Sequence, residues 1–251
     1  MLKFTNLTST RIALLTMQHV IQAIGTIHSP YPQKFAIPRQ PGLVTAATAQ
    51  IELTGAYGHP DTTRGLQGFS HIWVSFLFHQ NLAQGWQALV RPPRLGGNEK
   101  VGVFASRSTF RPNGIGLSVV KLLSIEQGNG GTLLHVQGGD WVDGTPVLDI
   151  KPYLPYVDAV PDALGGYANS APDAAMTVHF SAQAQQQLMH LGEQYPQLAL
   201  LIEQVLQQDP RPAYHKAKSS DKVYGMQLFD LNIQWQVRDH ENHVVNISKG
   251  F

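Results

Sequence analysis

Short runs of alternating apolar and polar residues, separated by turn residues, fill most of the first 160 positions. Such runs occur at VIQAIGTIHSPY, TAQIEL, VGVFAS, GLSVVKLLSIEQ and GTLLHVQGGD. A period of two residues is typical of β-strands. Gly128-Asn129-Gly130-Gly131 lies between the last two runs and predicts a hairpin. Many short strands with few helices between them favour a closed or nearly closed β-barrel.

Two stretches of this region depart from simple alternation. HIWVSFLFHQ is almost continuously apolar and rich in aromatic residues, which predicts a strand covered on both faces. The stretch PQKFAIPRQPGLV contains Pro32, Pro38 and Pro41 and predicts a long loop, because proline restricts the backbone and lacks an amide donor.

The pattern changes after Tyr156. A turn-rich stretch is followed by the strand-like AMTVHF, then by two stretches with apolar residues at helical spacing, the first beginning at the potential cap Ser181. VYGMQLFDLNIQWQVRD and VVNIS predict further strands. We therefore predict a mainly β chain with an α+β part: a β-barrel domain over residues 1–160, with an N-terminal extension over 1–20, and a small α+β domain over 161–251.

Composition excludes several classes of protein. The chain has 251 residues and no cysteine, which excludes disulfide scaffolds, cysteine-bound zinc and thiol catalysis. The net charge is +1, so any nucleic-acid surface must be local. No run reaches the roughly 18 apolar residues that span a bilayer. The eleven histidines include only one close pair, His240 and His243. These features predict a cytoplasmic protein with no membrane segment and no bound metal.

A dense group of charges begins at Arg91. Five positive side chains face one acid, Glu99, and glycines are interleaved with them; the five are Arg91, Arg94, Lys100, Arg107 and Arg111. Guanidinium groups bind carboxylates and phosphates through two hydrogen bonds. About thirty residues further on, DWVDGTPVLD supplies Asp140 and Asp143. A cationic segment facing an acidic loop predicts a ligand that carries both charges.

Five elements meet at one polar pocket if the strands close into a barrel. They are the proline loop, the end of the HIWVSFLF strand, the segment after VGVFA, the start of GLSVV and the Asp-Gly turn. Each has an ordinary structural explanation when taken alone, as a loop, strand end or turn. The chain has no GxxxxGK[ST], GxGxxG or GxSxG motif, which excludes the common nucleotide folds and the hydrolase elbow.

Several long motifs together resemble those of the TrmO family, also called TsaA or YaeB-like proteins. They are SPY…KFAIPRQPGLV, FSHIWVSFLFHQ, RPPRLGGN, VGVFASRSTFRPNGIGLS and DWVDGTPVLDIKPYLPY, with DPRPAY near the C-terminus. They occur in the expected order from about Ile24 to the end of the chain. Gly114 is a departure, since relatives often have proline there, and we expect a looser loop.

The resemblance implies a dimeric tRNA methyltransferase that uses S-adenosylmethionine and is built on a barrel rather than a Rossmann sheet. It implies methylation of N6 of threonylcarbamoyladenosine (t6A) at position 37, giving m6t6A. The cofactor site carried over comprises Pro38, Arg39, Gln40, His79, Gln80, Arg107, Leu117, Asp143, Gly144, Thr145 and Pro146.

Charge and position suggest further roles. Arg107 or Arg39 would hold the cofactor carboxylate, Asp143 would balance its positive groups, and Leu117 would contact its adenine. His79 is the candidate base that removes the N6 proton, with water as the alternative. Phosphate contacts dominate nucleic-acid affinity; the candidates for them are Arg91, Arg94, Lys100, Arg111, Arg211, Lys216 and Lys218.

Two other classes of function fit the same sequence. A non-catalytic RNA-binding barrel would bind tRNA without the cofactor. A methyltransferase for a small molecule would bind the cofactor without a salt-sensitive affinity for tRNA.

Overall fold

The computed structural model describes residues 18–128, 130–171, 176–211, 220–239 and 241–250. The strands in these ranges are β1 Gly25–His28, β2 Thr48–Leu53, β3 His71–Leu77, β4 Leu89–Val90, β5 Val101–Gly102, β6 Ile115–Gly128, β7 Gly131–Gln137, β8 Thr145–Pro152, β9 Thr177–Phe180, β10 Ser220–Leu228, β11 Leu231–Arg238 and β12 Glu241–Lys249. The α-helices are α1 Pro155–Asp158, α2 Ala182–Leu191 and α3 Leu198–Gln207. Short 3₁₀ turns join many of them.

Six strands close into an antiparallel barrel in the order β1-β2-β7-β6-β3-β8, with β8 pairing back to β1. Alternate residues point inward, and the fully buried positions include Ile27, Ile51, Ile72 and Leu134. The hairpin of β6 and β7 pairs Gly128 with Gly131, as the glycines predict. The predicted barrel is therefore confirmed, and β4 and β5 form a separate two-stranded ribbon.

Two strand predictions need correction. β3 was expected to be covered on both faces, but only alternate residues, such as Val74 and Phe76, are buried. VGVFAS was expected to be a strand, but only Val101–Gly102 is extended and residues 103–105 form a 3₁₀ turn. Ser106 Oγ donates to the carbonyl of Val103 at 2.8 Å, so a local side-chain bond replaces strand pairing.

The C-terminal part is a four-stranded sheet with two helices, in the order β10-β11-β12-β9. β9 is parallel to β12. Ser181 caps α2, because its hydroxyl accepts from the amide of Ala184 at 3.1 Å. The α3 helix buries one apolar face in a core that contains Trp235, which is 0% exposed. This arrangement agrees with the predicted α+β fold.

The proline loop between β1 and β2 belongs to the C-terminal core as well as to the barrel. Tyr31, Ala36 and Val44 lie in the same apolar cluster as Trp235. Gln204 of α3 accepts from the amide of Ala46 at 2.8 Å. The domain boundary near residue 160 therefore stays a prediction, because one core draws on both sides of it. In the described ranges no helix is both long and apolar enough to cross a membrane.

Candidate functional site

One end of the barrel opens into a cavity of about 700 Å³. Its walls come from the proline loop, the end of β3 with the turn after it, the segment around Arg107, the start of β6 and the loop before β8. The end of β3 pairs with the start of β6, with Leu77 opposite Ile115. Antiparallel pairing therefore brings these distant segments to the same rim.

Side-chain hydrogen bonds join the proline loop to the rest of the cavity wall. Arg107 Nη1 donates to Gln40 Oε1 at 2.6 Å, although the residues are 67 positions apart. Lys34 Nζ donates to Asn81 Oδ1 at 2.9 Å, in the turn that begins at His79. The loop thus contacts the turn after β3 and the segment that carries Arg107, two of the four other elements that the sequence singled out.

Arg111 differs from the other cations around the cavity. Its Nη1 atom donates to the carbonyls of Ser106 at 2.7 Å and Val103 at 3.3 Å, and its guanidinium lies 5.9 Å from the centre of the Phe104 ring. Lys34, Arg39 and Arg107 are exposed, whereas Arg111 is half-buried. Arg111 therefore fixes the shape of the loop that carries Arg107.

Asp140 is the acid among the described residues that line the cavity. Ser118 Oγ donates to its Oδ1 atom at 2.6 Å. Burial raises the pKa of Asp140 to about 6, and the hydrogen bond from Ser118 and the charge of Arg107 only partly oppose this. The carboxylate is therefore held, at a cost in solvation, among cations with which it forms no ion pair in the described part of the chain.

Aromatic rings form the floor of the cavity. Phe76 and Trp141 meet edge to face, with ring centres 6.0 Å apart, and both are almost fully buried. A β-carbon at Gly116 would overlap the Phe76 ring, so glycine is required for this packing. The Phe76 ring therefore lies directly against the backbone at Gly116.

Eight of the predicted cofactor residues line the cavity. They are Pro38, Arg39, Gln40, His79, Gln80, Arg107, Leu117 and Thr145. Asp143, Gly144 and Pro146 are not among its lining residues. Asp143 Oδ1 accepts from the amide of Ser29 at 2.9 Å, and Gly144 donates to the carbonyl of Ile27 at 2.9 Å. The Asp-Gly turn therefore joins the end of β1 to the start of β8.

The predicted tRNA contacts lie in different surroundings. Arg91, Arg94 and Lys100 are exposed on the β4–β5 ribbon and its connection, and no described acid pairs with them. Arg211 is only 4% exposed, and its guanidinium binds Asp209 at 2.8 Å, so we do not include it in the proposed tRNA surface. Lys216 and Lys218 lie outside the described residues.

Sequence reasoning missed several residues of the site. It named Asp140 only as an acid, and it did not select Lys34, Phe76, Ser118 or Trp141. The sequence around Asp140 does contain a signal: an acid that follows two glycines and precedes a tryptophan is unusual in a simple surface turn. No local signal identifies Ser118, whose inward direction depends on the register of β6.

Gly114, where the chain departs from the family motif, has a backbone conformation that requires glycine. It has a φ of 60°, which proline cannot adopt, and its amide donates to the carbonyl of Arg111 at 3.0 Å. The loop of this chain therefore takes a conformation that depends on glycine.

The fold and cavity together define a β-barrel protein with a candidate site for a small charged ligand. The described residues place exposed cations at the rim, an acid beside them and aromatic rings below, and the sheet is closed rather than doubly wound. Comparison with known proteins identifies the family.

Residues 26–159 match the family model of the tRNA-methyltransferase O N-terminal domain, and residues 173–250 match the TrmO C-terminal domain. The chain is 52% identical over 218 residues to the tRNA (adenine(37)-N6)-methyltransferase of Escherichia coli, covering 87% of this chain and 93% of that one. It is 50% identical over 220 residues to the putative S-adenosylmethionine-dependent methyltransferase RcsF of Pseudomonas aeruginosa, with the same coverage.

The crystal structure of TrmO from Pseudomonas aeruginosa superposes with a TM-score of 0.77 at 41% identity, covering 92% of this chain and 99% of that one. The chain therefore belongs to the tRNA-methyltransferase O family, and it is a tRNA methyltransferase. The family resemblance in its motifs is confirmed.

Proposed function

We propose that the protein transfers a methyl group from S-adenosylmethionine to N6 of threonylcarbamoyladenosine at position 37 of tRNA, giving m6t6A. Two similar proteins carry the corresponding names, one a tRNA (adenine(37)-N6)-methyltransferase and one a putative S-adenosylmethionine-dependent methyltransferase. The observation that carries the proposal is the cavity itself: its wall contains Gln40 and Arg107, which are hydrogen-bonded to each other, and its floor is aromatic.

The residues of the cavity fit the cofactor chemically. Arg107 and Arg39 would hold the methionine carboxylate, because guanidinium groups match carboxylates in shape and charge. Arg39 is next in sequence to Gln40, the hydrogen-bond partner of Arg107. Leu117 is 55% exposed and offers apolar surface to the adenine. Of the turn from Asp143 to Pro146, Thr145 lines the cavity and would be the part of the turn beside the cofactor. The bound cofactor supplies a methyl group already activated on a sulfonium, so the protein would act mainly by placement.

The threonylcarbamoyl substrate is supported by the number of cations. A cavity that received only the cofactor would meet one carboxylate, yet Lys34, Arg39 and Arg107 all line this one and are exposed. The threonyl group of t6A brings a second carboxylate. Separate cations for the two carboxylates account for this excess of positive charge.

The tRNA backbone would lie along the β4–β5 ribbon. Arg91, Arg94 and Lys100 are exposed there and next to the cavity in sequence. Phosphate contacts of this kind release counterions, so the affinity for tRNA is expected to fall steeply as salt rises. Since the substrate is tRNA, we place the protein in the cytoplasm.

We further propose a homodimer that buries an apolar surface beside the cavity. Trp86, Leu89, Phe104 and Leu164 are all exposed, with Phe104 at 77% and Leu164 at 93%. Hydrogen bonds bring these segments together: the amide of Val103 donates to the carbonyl of Ala88 at 3.0 Å, and the hydroxyl of Tyr167, near Leu164, donates to the carbonyl of Ala105 at 3.1 Å. A second copy of the chain would cover them. Phe104→Glu should then give a monomer in sedimentation, and an unchanged mass would contradict this interface.

Nucleoside mass spectrometry tests the reaction directly. Purified protein and S-adenosylmethionine are incubated with tRNA that carries t6A and, separately, with the same tRNA lacking the threonylcarbamoyl group. The proposal expects one added methyl on the position-37 nucleoside of the first tRNA alone. Methylation of both tRNAs would show that t6A is not required, and methylation of neither tRNA would contradict the proposed reaction.

Three variants separate this reading from its rivals. Arg107→Ala should abolish cofactor binding, and Arg94→Ala should weaken tRNA binding without changing cofactor affinity. Arg64→Ala is the matched control, because Arg64 is exposed and bonded to Asp61, outside the cavity. Cofactor binding without salt-sensitive tRNA binding would favour a small-molecule methyltransferase. Binding of tRNA without the cofactor would favour a non-catalytic module.

A further inference from the structure

Methylation at N6 releases one proton, and the cavity offers few groups that can take it. Its charged or titratable lining residues in the described part of the chain are Lys34, Arg39, His79, Arg107, Arg111 and Asp140. Protonated lysine and arginine side chains donate hydrogen bonds and do not accept protons. His79 and Asp140 are therefore the two candidates among these residues.

Burial distinguishes the two candidates. A carboxylate loses its charge when it takes a proton, so a poorly solvated site favours the transfer; an imidazole gains charge, so the same site opposes it. Burial removes part of the solvation of Asp140 and raises its pKa to about 6. His79 Nδ1 is buried and has no hydrogen-bond partner in the described structure, so no described group orients that ring nitrogen in the way that Ser118 orients Asp140.

Hydrogen bonding also orients Asp140 for the role. Ser118 fixes its Oδ1 atom at 2.6 Å, and no other described side chain donates to the carboxylate. Ser118 is 2% exposed and rigidly placed on β6. The Oδ2 atom is thus left without a described side-chain donor. Asp140 lines the same cavity as Phe76 and Trp141, whose rings would receive the adenine.

We propose that Asp140, held by Ser118, is the proton acceptor for N6 during methyl transfer. The inference rests on the proposed function, in which the cavity holds both the cofactor and adenosine 37. The N6–H bond breaks and its proton moves to Asp140. The electron pair on nitrogen forms the bond to the methyl carbon as the carbon–sulfur bond breaks, and that bonding pair stays on sulfur. Asp140 then returns the proton to solvent.

The groups around Asp140 set the pH range in which it acts. Desolvation raises the proton affinity of Asp140, and the hydrogen bond from Ser118 and the charge of Arg107 lower it less strongly. Burial and the nearby charge of Asp140 both raise the pKa of Tyr31, so its hydroxyl stays neutral. Lys34, Arg39, His79 and Arg111 complete the charged or titratable lining. The single-turnover rate should therefore rise with pH up to about 6 and level off above it.

Asp140→Asn is the test variant, because its amide oxygen can still accept from Ser118. We expect single-turnover methyl transfer to fall by about 10²- to 10⁴-fold, the usual contribution of a positioned base. Its affinity for S-adenosylmethionine, measured by calorimetry, and its affinity for tRNA should both stay within about twofold, since base catalysis acts only in the transition state. Asp149→Asn, on the exposed face of β8, is the control and should keep the full rate.

A second readout does not depend on turnover. In the free protein labelled with ¹³C-carboxyl aspartate, the signal missing from Asp140→Asn should titrate near pH 6. A midpoint at the ordinary aspartate value of about 3.9 would overturn the proposal.

Other outcomes would also overturn it. A rate for Asp140→Asn within a few-fold of wild type would exclude Asp140 as the acceptor. A parallel loss of cofactor affinity and rate would make Asp140 a ligand for the cofactor ammonium instead. Loss of the pH rise in His79→Gln, with the rise kept in Asp140→Asn, would assign the proton to His79. An inactive wild-type protein would count against the proposed function itself, and the carboxyl titration would still report on Asp140.

Discussion

The carboxylate of Asp140 should destabilise the folded protein at neutral pH. Burial raises its pKa from 3.8 to about 6. The folded state therefore binds this proton more tightly than the unfolded state does. The resulting stabilisation is complete below the unfolded value and is lost as pH rises through about 6. A shift of about 2 pH units corresponds to about 3 kcal/mol.

Asp140→Asn isolates this contribution, because the amide stays neutral at every pH. We expect the free energy of unfolding of the variant, relative to wild type, to rise by about 2.4 kcal/mol between about pH 4 and about pH 7.5, because part of the full effect is already lost at the lower value. Urea unfolding followed by tryptophan fluorescence measures it at both values. All other groups titrate in both proteins, so their effects cancel in the difference.

Asp149→Asn provides the reference for an exposed carboxyl. Its side chain is 55% exposed and lies 4.0 Å from Lys151, so its stability difference should change little with pH. If Asp140→Asn behaves in the same way, with a change below about 1 kcal/mol, then burial of Asp140 does not alter its ionisation and the reasoning fails. A gain in stability with a loss of activity would instead identify a cost that function imposes on the fold.

Three further substitutions test packing, two of them beside the cavity and one in the C-terminal part. Gly114→Pro should cost about 3 kcal/mol or more in urea unfolding, because proline cannot adopt a φ of 60°; an unchanged midpoint would show that the loop can rearrange. Gly116→Ala should cost about 1–3 kcal/mol, since its methyl group overlaps the Phe76 ring, and wild-type stability would mean that the ring moves freely. Arg211→Ala should cost about 3 kcal/mol by leaving Asp209 without this buried partner. Once folded, that variant should bind tRNA normally, and weaker binding would return Arg211 to the tRNA surface.

Much of the fold follows from local patterns in the sequence. TAQIEL matches β2 residue for residue, GTLLHVQGGD contains β7, which ends at Gln137, and Ser181 caps α2 as expected. These signals are local because each depends on strand or helix periodicity or on one hydrogen bond to a nearby amide. The convergence of His79, Arg107 and the proline loop on one cavity also follows once the strands close into a barrel.

Other features depend on contacts that no local pattern encodes. Arg107 and Arg111 lie four residues apart with the same charge, yet one is exposed in the cavity and the other is bonded to backbone carbonyls. Arg211 resembles a surface cation in the sequence but is buried against Asp209. The bond from Ser118 to Asp140 depends on the register of β6 and on a loop 22 residues away. Tertiary packing decides each of these cases.

The proline loop makes the two halves of the chain thermodynamically linked. One side of it presents Arg39 and Gln40 to the cavity, and the other side buries Tyr31 and Ala36 in the core around Trp235. We therefore expect a ligand that orders the cavity side also to stabilise the C-terminal sheet, and by reciprocity we expect damage to that sheet to weaken binding at the barrel. The C-terminal sheet would then help to set the affinity of a site at one end of the barrel.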